Sequence, residues 1–274
     1  MPATLATSKQ LLPVFDKPLV YYPLTTLILA GIEEVLIVTS ADHISAFRKL
    51  FGNGSNFGIS IEYAIQDEPR GIVDALLTGR DFVQNHPVAL ILGDNIFHGE
   101  GLGRDLEKIS AQENVMFAVR VSDPKPYGVV DFDVNGNAIS IVEKPENPTS
   151  NWVVPGLYFY KENVMKIAET VQVSDRGELE ITDLNRALLS REDLTVKKLS
   201  RGTSWFDTGT PSSMLAASLY VQSVQDNQGM LIGSPEEASW VRGLISDEFL
   251  LSRAENYKSA YGSKLRDVQL GGTK

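Results

Sequence analysis

The chain has 274 residues, no cysteine and a formal net charge of −10 at pH 7. That length suffices for a large buried core, and the lack of cysteine excludes disulfides, thiolate metal sites and cysteine nucleophiles. The acidic balance argues against nucleic acid or an anionic membrane as partner, because both need a positive field. An anionic small molecule held by a few local cations or backbone N–H groups stays compatible with it.

The first residues lack a cationic n-region followed by an apolar core. The apolar stretch 19–32 is interrupted by Pro23, Thr25 and Thr26 and is too short to cross a bilayer, so a cytoplasmic protein without a membrane partner is expected. A loop over 8–13 leads to a helix at 22–30 that Gly31 closes. Strands at 35–39, 60–65 and 89–92 alternate with helices at 41–50 and 72–83. That is the spacing of βαβ units, and it predicts an α/β fold with a doubly wound, mostly parallel, Rossmann-like sheet.

Beyond residue 94 the pattern changes. A helix at 103–112 precedes short strands at 116–121, 128–132, 138–143 and 157–160, and Asn135-Gly136 marks a hairpin turn. These read as antiparallel strands inserted into the sheet. Helices at 162–170 and 179–190, a strand at 194–199 and a helix from Pro211 to about 224 follow, with proline at the first helical position. The C-terminal part, 225–274, is helical. With no linker or repeat, one domain over 1–274 is expected.

The run Ala89-Leu90-Ile91-Leu92 is apolar on both faces, as a buried central strand is. It stops at Gly93-Asp94-Asn95, where ligands of open α/β sheets bind. Asp94 taken alone starts a turn. Asp207, in Trp205-Phe206-Asp207-Thr208-Gly209-Thr210, also follows a strand and precedes small residues. Two such carboxylates suit Mg²⁺ completed by substrate phosphates; two unrelated turn aspartates are the alternative.

Lys9 lies beside Gln10, and Lys144 follows Glu143. Pro18 and Pro145 restrict their loops, although most lysines are simply solvated. Glu143 either accepts bonds from sugar hydroxyls or pairs with its neighbour. Tyr127-Gly128 and Gly156-Leu157-Tyr158 are ligand walls or packing, and Arg176 to Asp183 reads as a helix start with acids in its first turn. No nucleophile triad and no metal spacing among His43, His86 and His98 is present. No G-x-G-x-x-G follows a strand, which argues against a dinucleotide oxidoreductase. What is left is a two-carboxylate metal site with flanking lysines, the equipment of phosphoryl or nucleotidyl transfer.

Ser8-Lys9-Gln10-Leu11-Leu12-Pro13, Tyr21-Tyr22-Pro23-Leu24, Leu92-Gly93-Asp94-Asn95-Ile96-Phe97, Tyr127-Gly128-Val129-Val130, Glu143-Lys144-Pro145, Gly156-Leu157-Tyr158-Phe159-Tyr160, Arg176-Gly177-Glu178-Leu179-Glu180-Ile181-Thr182-Asp183 and the Trp205 segment occur in this order. Together they resemble the bacterial glucose-1-phosphate thymidylyltransferase family of sugar nucleotidyltransferases. The first and last of these segments are similar to the thymidylyl rather than the uridylyl branch.

The resemblance implies transfer of a thymidylyl group from dTTP to glucose 1-phosphate, giving dTDP-glucose for dTDP-rhamnose biosynthesis. It implies Mg²⁺ on Asp94 and Asp207, with Lys9 and Lys144 as the catalytic cations. Nucleotide contacts fall to Lys9, Gln10, Gln66, Gly71, Asp94 and Asn95. Sugar-phosphate contacts fall to Tyr127, Gly128, Glu143, Lys144, Val154, Tyr158 and Arg176. It also implies a homotetramer, with a regulatory site involving Arg201 and the terminal helices.

One departure stands out. Family members begin with an interior strand and a glycine-rich loop, Gly-Gly-x-Gly-Thr-Arg-Leu in type, whose N–H groups cradle the triphosphate. Met1 stands where that loop ends. Two readings compete with the transferase: a paralogue that binds sugar nucleotides without turnover, and a UTP-preferring uridylyltransferase, for which Ile72 and Asp74 beside the base pocket leave room.

Overall fold

The computed structural model describes residues 2–270. In chain order the elements are β1 (Pro13–Val14), β2 (Lys17–Pro18), α1 (Tyr21–Leu29), β3 (Glu34–Thr39), α2 (Ile44–Phe51), β4 (Ser60–Ile65), α3 (Ile72–Thr78), α4 (Arg80–Val83), β5 (Val88–Ile91), β6 (Asn95–His98), α5 (Leu102–Glu107) and β7 (Val115–Arg120). There follow β8 (Gly128–Phe132), β9 (Ala138–Glu143), β10 (Trp152–Val153), β11 (Leu157–Tyr160), α6 (Val164–Ala168), α7 (Ile181–Leu189), β12 (Thr195–Lys198), β13 (Ser204–Asp207), α8 (Pro211–Gln228), α9 (Pro235–Val241), α10 (Asp247–Asn256) and α11 (Ala260–Leu270).

β3 and β4 pair in parallel across α2, as the alternation requires. The largest sheet runs β5-β11-β7-β10-β8-β9, with β12 added to β7 in parallel. Its other pairings are antiparallel. The fold is α/β with parallel and inserted antiparallel strands, but the antiparallel share is larger than the spacing suggests. β11 explains it: it runs between β5 and β7 and opposite to both. Long-range pairing of this kind leaves no mark on periodicity.

Three local expectations shift. The helix expected over 72–83 breaks at Gly79, where a Cβ would meet Leu36 Cδ2 at 3.0 Å. The helix expected over 103–112 stops at Glu107. The chain also turns straight back after Asp94 into β6, which pairs with β13. A polar residue at each end, Asn95 and His98, disguises this four-residue strand.

Side chains from α3, α6, α7 and the β7–β11 face form one apolar core, with Met116, Val130, Tyr160, Leu184 and Leu188 fully buried. A second core under α1, α2 and β3–β4 holds Ile28, Phe47, Phe51 and Phe57. The three last helices close on their own cluster around Leu250, Ala254 and Leu265. No helix among the described residues is long and apolar enough to cross a membrane.

The apolar run at 88–92 is only half-buried, contrary to the expectation for a central strand. β5 pairs with β11 on one side, and β3 pairs with β4 on one side. A cleft of about 880 Å³ lies between them, lined by Val35, Leu36, Val38, Leu90, Ile91 and Gly93 among others.

Candidate active site

A sharp turn and one ladder build the acidic half of the site. β6 and β13 pair so that Asp207 faces Asn95, which places it next to Asp94. Thr208 locks the junction: its N–H and hydroxyl both donate to the Asp94 carbonyl, at 3.1 and 2.7 Å. Burial raises the Asp207 carboxyl above the ordinary carboxylate range, and the Asp94 charge adds to this. Lys9, the Gly209 N–H and Lys144 oppose the rise. Two carboxylates held together in a half-buried place repel each other, and a cation relieves that cost.

Lys9 supplies one such cation. It sits on a 3₁₀ turn, Lys9–Leu11, and its ammonium donates to Asp94 Oδ2. The turn is fixed from both sides: the Gln10 carbonyl accepts from the Val20 N–H at 2.9 Å, and Leu12 does the same for Leu19. Lys17 anchors the following hairpin by donating to Gln225 on α8 at 3.1 Å. Gly93 lets the Gln10 side chain come close, since a Cβ there would meet Gln10 Cγ at 2.9 Å.

Asn95 is nearly fully buried, and its amide is spent on the protein itself. Its Nδ2 donates to Asp94 Oδ1 at 2.9 Å, while Oδ1 accepts from the Gly156 N–H and from Trp205 Nε1. It therefore orients the carboxylate from behind. Gln66 donates to the Gly71 carbonyl at 3.2 Å and to Asp74 at 2.8 Å, and Arg70 pairs with Asp74 at 3.1 Å. Gly71 holds φ at +105°, with a Cβ excluded by the Leu179 carbonyl. Gln66 and Gly71 line the same cleft as Gly93.

The second half lies across β8 and β9. The Lys144 N–H donates to the Tyr127 carbonyl at 3.1 Å, and Val154 donates to Gly128 at 2.8 Å. The Tyr127 ring packs edge-on against Trp205 at 5.1 Å, bridging to the acidic half. Glu143 accepts from the Thr182 hydroxyl and sits 3.7 Å from Arg176 and 3.9 Å from Lys144. Arg176 also pairs with Glu180 at 3.2 Å. Gly128 leaves room above Glu143, since a Cβ there would crowd Glu143 Oε2 at 3.2 Å. Tyr158 is buried against Tyr160, and burial followed by the Glu143 charge pushes its hydroxyl upward.

Lys9, Asp94, Asn95, Tyr127 and Asp207 thus adjoin, and the Glu143–Lys144–Arg176 group meets them through Tyr127 and the Lys144 charge. Arg201 is exposed on the turn before β13. Two contributors escaped the sequence reading, Thr182 and Thr208. Each lies inside a noted segment, but a hydroxyl has no charge pattern to betray its aim. No group of three or more carboxylates or histidines fit to hold a metal exists among the described residues. The Asp94–Asp207 pair is a two-ligand site of hard oxygen donors, which fits a hydrated Mg²⁺ that shares substrate phosphates.

Paired carboxylates beside positioned lysines, on an α/β sheet, define a site for handling phosphate esters. Residues 1–224 match the family model described as nucleotidyl transferase. Similar curated proteins are glucose-1-phosphate thymidylyltransferases. That of Mycolicibacterium smegmatis is 50% identical over 266 residues, covering 96% of this chain and 92% of the relative. That of Mycobacterium tuberculosis H37Rv is 45% identical over 269 residues, covering 97% and 93%. A solved structure from Bacillus anthracis, in complex with sucrose, superposes with a TM-score of 0.74 at 35% identity, covering 80% of this chain and 88% of that one. The chain belongs to the nucleotidyl transferase family, on its glucose-1-phosphate thymidylyltransferase branch.

Proposed function

We propose that this chain transfers a thymidylyl group from dTTP to glucose 1-phosphate. A phosphate oxygen of glucose 1-phosphate attacks the α-phosphorus, a new P–O bond forms, and the bond to the β-phosphate bridging oxygen breaks. The products are dTDP-glucose and pyrophosphate. Mg²⁺ on Asp94 and Asp207 would neutralise charge on the phosphates.

The observation that carries this reading is the acidic pair under two lysine charges, Lys9 bonded to Asp94 and Lys144 acting on the Asp207 carboxyl. Lys9 holds Asp94 and reaches toward the triphosphate. Lys144 and Arg176 provide fixed positive charge for the sugar phosphate. Glu143, held by Thr182, accepts from glucose hydroxyls, and Gly128 keeps the space above it open. Gln66 and Gly71 form the base side, Asn95 sets the carboxylate behind it, and Tyr127, Val154 and Tyr158 wall the sugar. The relatives' names support dTTP as the nucleotide. A homotetramer in the cytoplasm belongs to the same reading.

Pyrophosphate release tests it: release should require dTTP, glucose 1-phosphate and Mg²⁺ together. Release without glucose 1-phosphate would point to hydrolysis instead. A second reading, binding of sugar nucleotides without turnover, draws on the open cleft beside Gly93. Calorimetric binding of dTDP-glucose with no pyrophosphate release would favour it.

A further inference from the structure

We propose that Asp74 is a specificity-determining residue that acts through Gln66. It fixes the Gln66 amide so that the oxygen, and not the nitrogen, meets the base, and so selects pyrimidines that carry an N3–H over cytosine. The inference deepens the proposed function and rests on that reading's placement of the base at Gln66 and Gly71.

A primary amide has a donor end and an acceptor end, and its neighbours decide which way round it sits. Gln66 Nε2 donates to two atoms, Asp74 Oδ2 at 2.8 Å and the Gly71 carbonyl oxygen at 3.2 Å. A carboxylate and a carbonyl only accept, so both demand an N–H; the reversed amide would set its oxygen against theirs. The bond to the carboxylate is the shorter and the stronger of the two, because it is charge-assisted. Both Nε2 hydrogens are thereby taken, and Oε1 has no hydrogen-bond partner among the described residues.

Both residues sit on fixed backbone. The Gln66 N–H donates to the Thr39 carbonyl at 2.9 Å, which continues the β3–β4 ladder. Asp74 lies buried in the first turn of α3. That turn is pinned by Leu179, whose carbonyl accepts from the Val73 N–H at 3.2 Å and whose N–H donates to the Arg70 carbonyl at 2.7 Å. Arg70 also holds Asp74 Oδ1 at 3.1 Å. The two Asp74 oxygens therefore divide their work, one for Arg70 and one for Gln66. Gln66, Pro69, Gly71 and Ile72 line the cleft, so the unpaired Oε1 belongs to its wall. Thymine and uracil carry an N3–H that can donate to such an oxygen. Cytosine has a lone pair at N3 and would meet it acceptor against acceptor, leaving both atoms unsatisfied. The C5 methyl plays no part in this contact, which separates thymine and uracil from cytosine but not from each other.

Calorimetric binding of dUTP and of dCTP, each with Mg²⁺, reads this without turnover, because the two nucleotides differ only at the N3–C4 edge. The parent should bind dUTP about tenfold or more tighter than dCTP. Asp74→Asn keeps the shape, but Arg70 claims its one oxygen, so its Nδ2 is turned on Gln66 and favours the flipped amide. The preference should fall about tenfold, to near parity. Arg70→Met leaves the Asp74 carboxylate in place and should keep the parent preference. A purely structural role for Asp74 would weaken both nucleotides alike and leave their ratio unchanged. Equal binding of the two by the parent, binding of neither, an unchanged ratio in Asp74→Asn, or the same loss in Arg70→Met overturns the proposal. A dUTP preference that Asp74→Asn erases, found together with no pyrophosphate release from dTTP and glucose 1-phosphate, would uphold the role of Asp74 and overturn the transfer reading alone.

Discussion

Asp207 stands opposite Asn95 in the β13–β6 ladder, so it lies beside Asp94 although 113 positions separate the two carboxylates in the chain. An antiparallel pair, not two parallel strand ends, creates the acidic site. The ladder forces the charges together, and Asp207 carries the strain as a raised carboxyl pKa.

Asp207→Asn should therefore separate stability from turnover. A carboxyl with its folded pKa raised ionises first in the unfolded chain, so its contribution to stability falls as pH climbs from the unfolded to the folded pKa. Removing the charge should raise the thermal midpoint at neutral pH. It should also cost about a hundredfold or more in turnover, the scale of several kcal/mol of phosphate-charge neutralisation. Mg²⁺ should raise the midpoint of the parent and not of the variant.

Lys9→Met should act through the same pair. Lys9 holds the Asp207 carboxyl down, so losing it pushes that carboxyl further up. The acidic limb of the kcat/KM profile should move to higher pH, beyond a uniform drop in rate. A profile of unchanged shape would show that the lysine does not act on the pair.

Thr182→Val removes the hydroxyl that donates to Glu143. A hydrogen bond to a charged group contributes about 1.5–3 kcal/mol. The KM for glucose 1-phosphate should rise about tenfold or more, with kcat nearly unchanged. An effect on the KM for dTTP instead would move Glu143 out of the sugar side.

Asn95→Ala leaves the Gly156 N–H and Trp205 Nε1 without their buried acceptor. Two such orphans cost about 2–5 kcal/mol, a fall of roughly 5–15 °C in thermal midpoint. Calorimetric unfolding reads this directly.

Glu237 lies at a cavity of about 210 Å³ beneath α9, lined by Tyr22, Phe97 and Ile232 among others. Burial raises its carboxyl from 4.5 to about 7. The unfolded chain gives up this proton first, so stability declines as pH rises from about 4.5 to about 7 and is level above. Glu237→Gln should flatten that decline, as urea unfolding at pH 5 and pH 8 would show.

Much of this was legible in the chain. Strands at 60–65, 128–132, 138–143 and 157–160 have the expected bounds, because short apolar alternations with clear turns leave few options. Asp94, Asp207, Lys9 and Lys144 stood out as charges at strand ends or in proline-pinned loops. What stayed hidden depends on pairing at long range. β11 entering between β5 and β7 and the β6 strand after Asp94 are set by partners far along the chain, and Ala89 to Leu92 are half-buried because β5 pairs on one side only among the described residues, with β11. Asn95 shows the same limit: its identity suggests a ligand contact, and its neighbours spend it on Asp94, Gly156 and Trp205.

The most direct measurement of the central claim is a competition. The chain is incubated with glucose 1-phosphate, Mg²⁺ and equal dTTP and UTP, and the nucleotide sugars are identified by mass spectrometry. Predominant dTDP-glucose, matched by pyrophosphate and lost in Asp207→Asn, is the expected result. Predominant UDP-glucose, or nucleotide sugar formed equally well by Asp207→Asn, would contradict it.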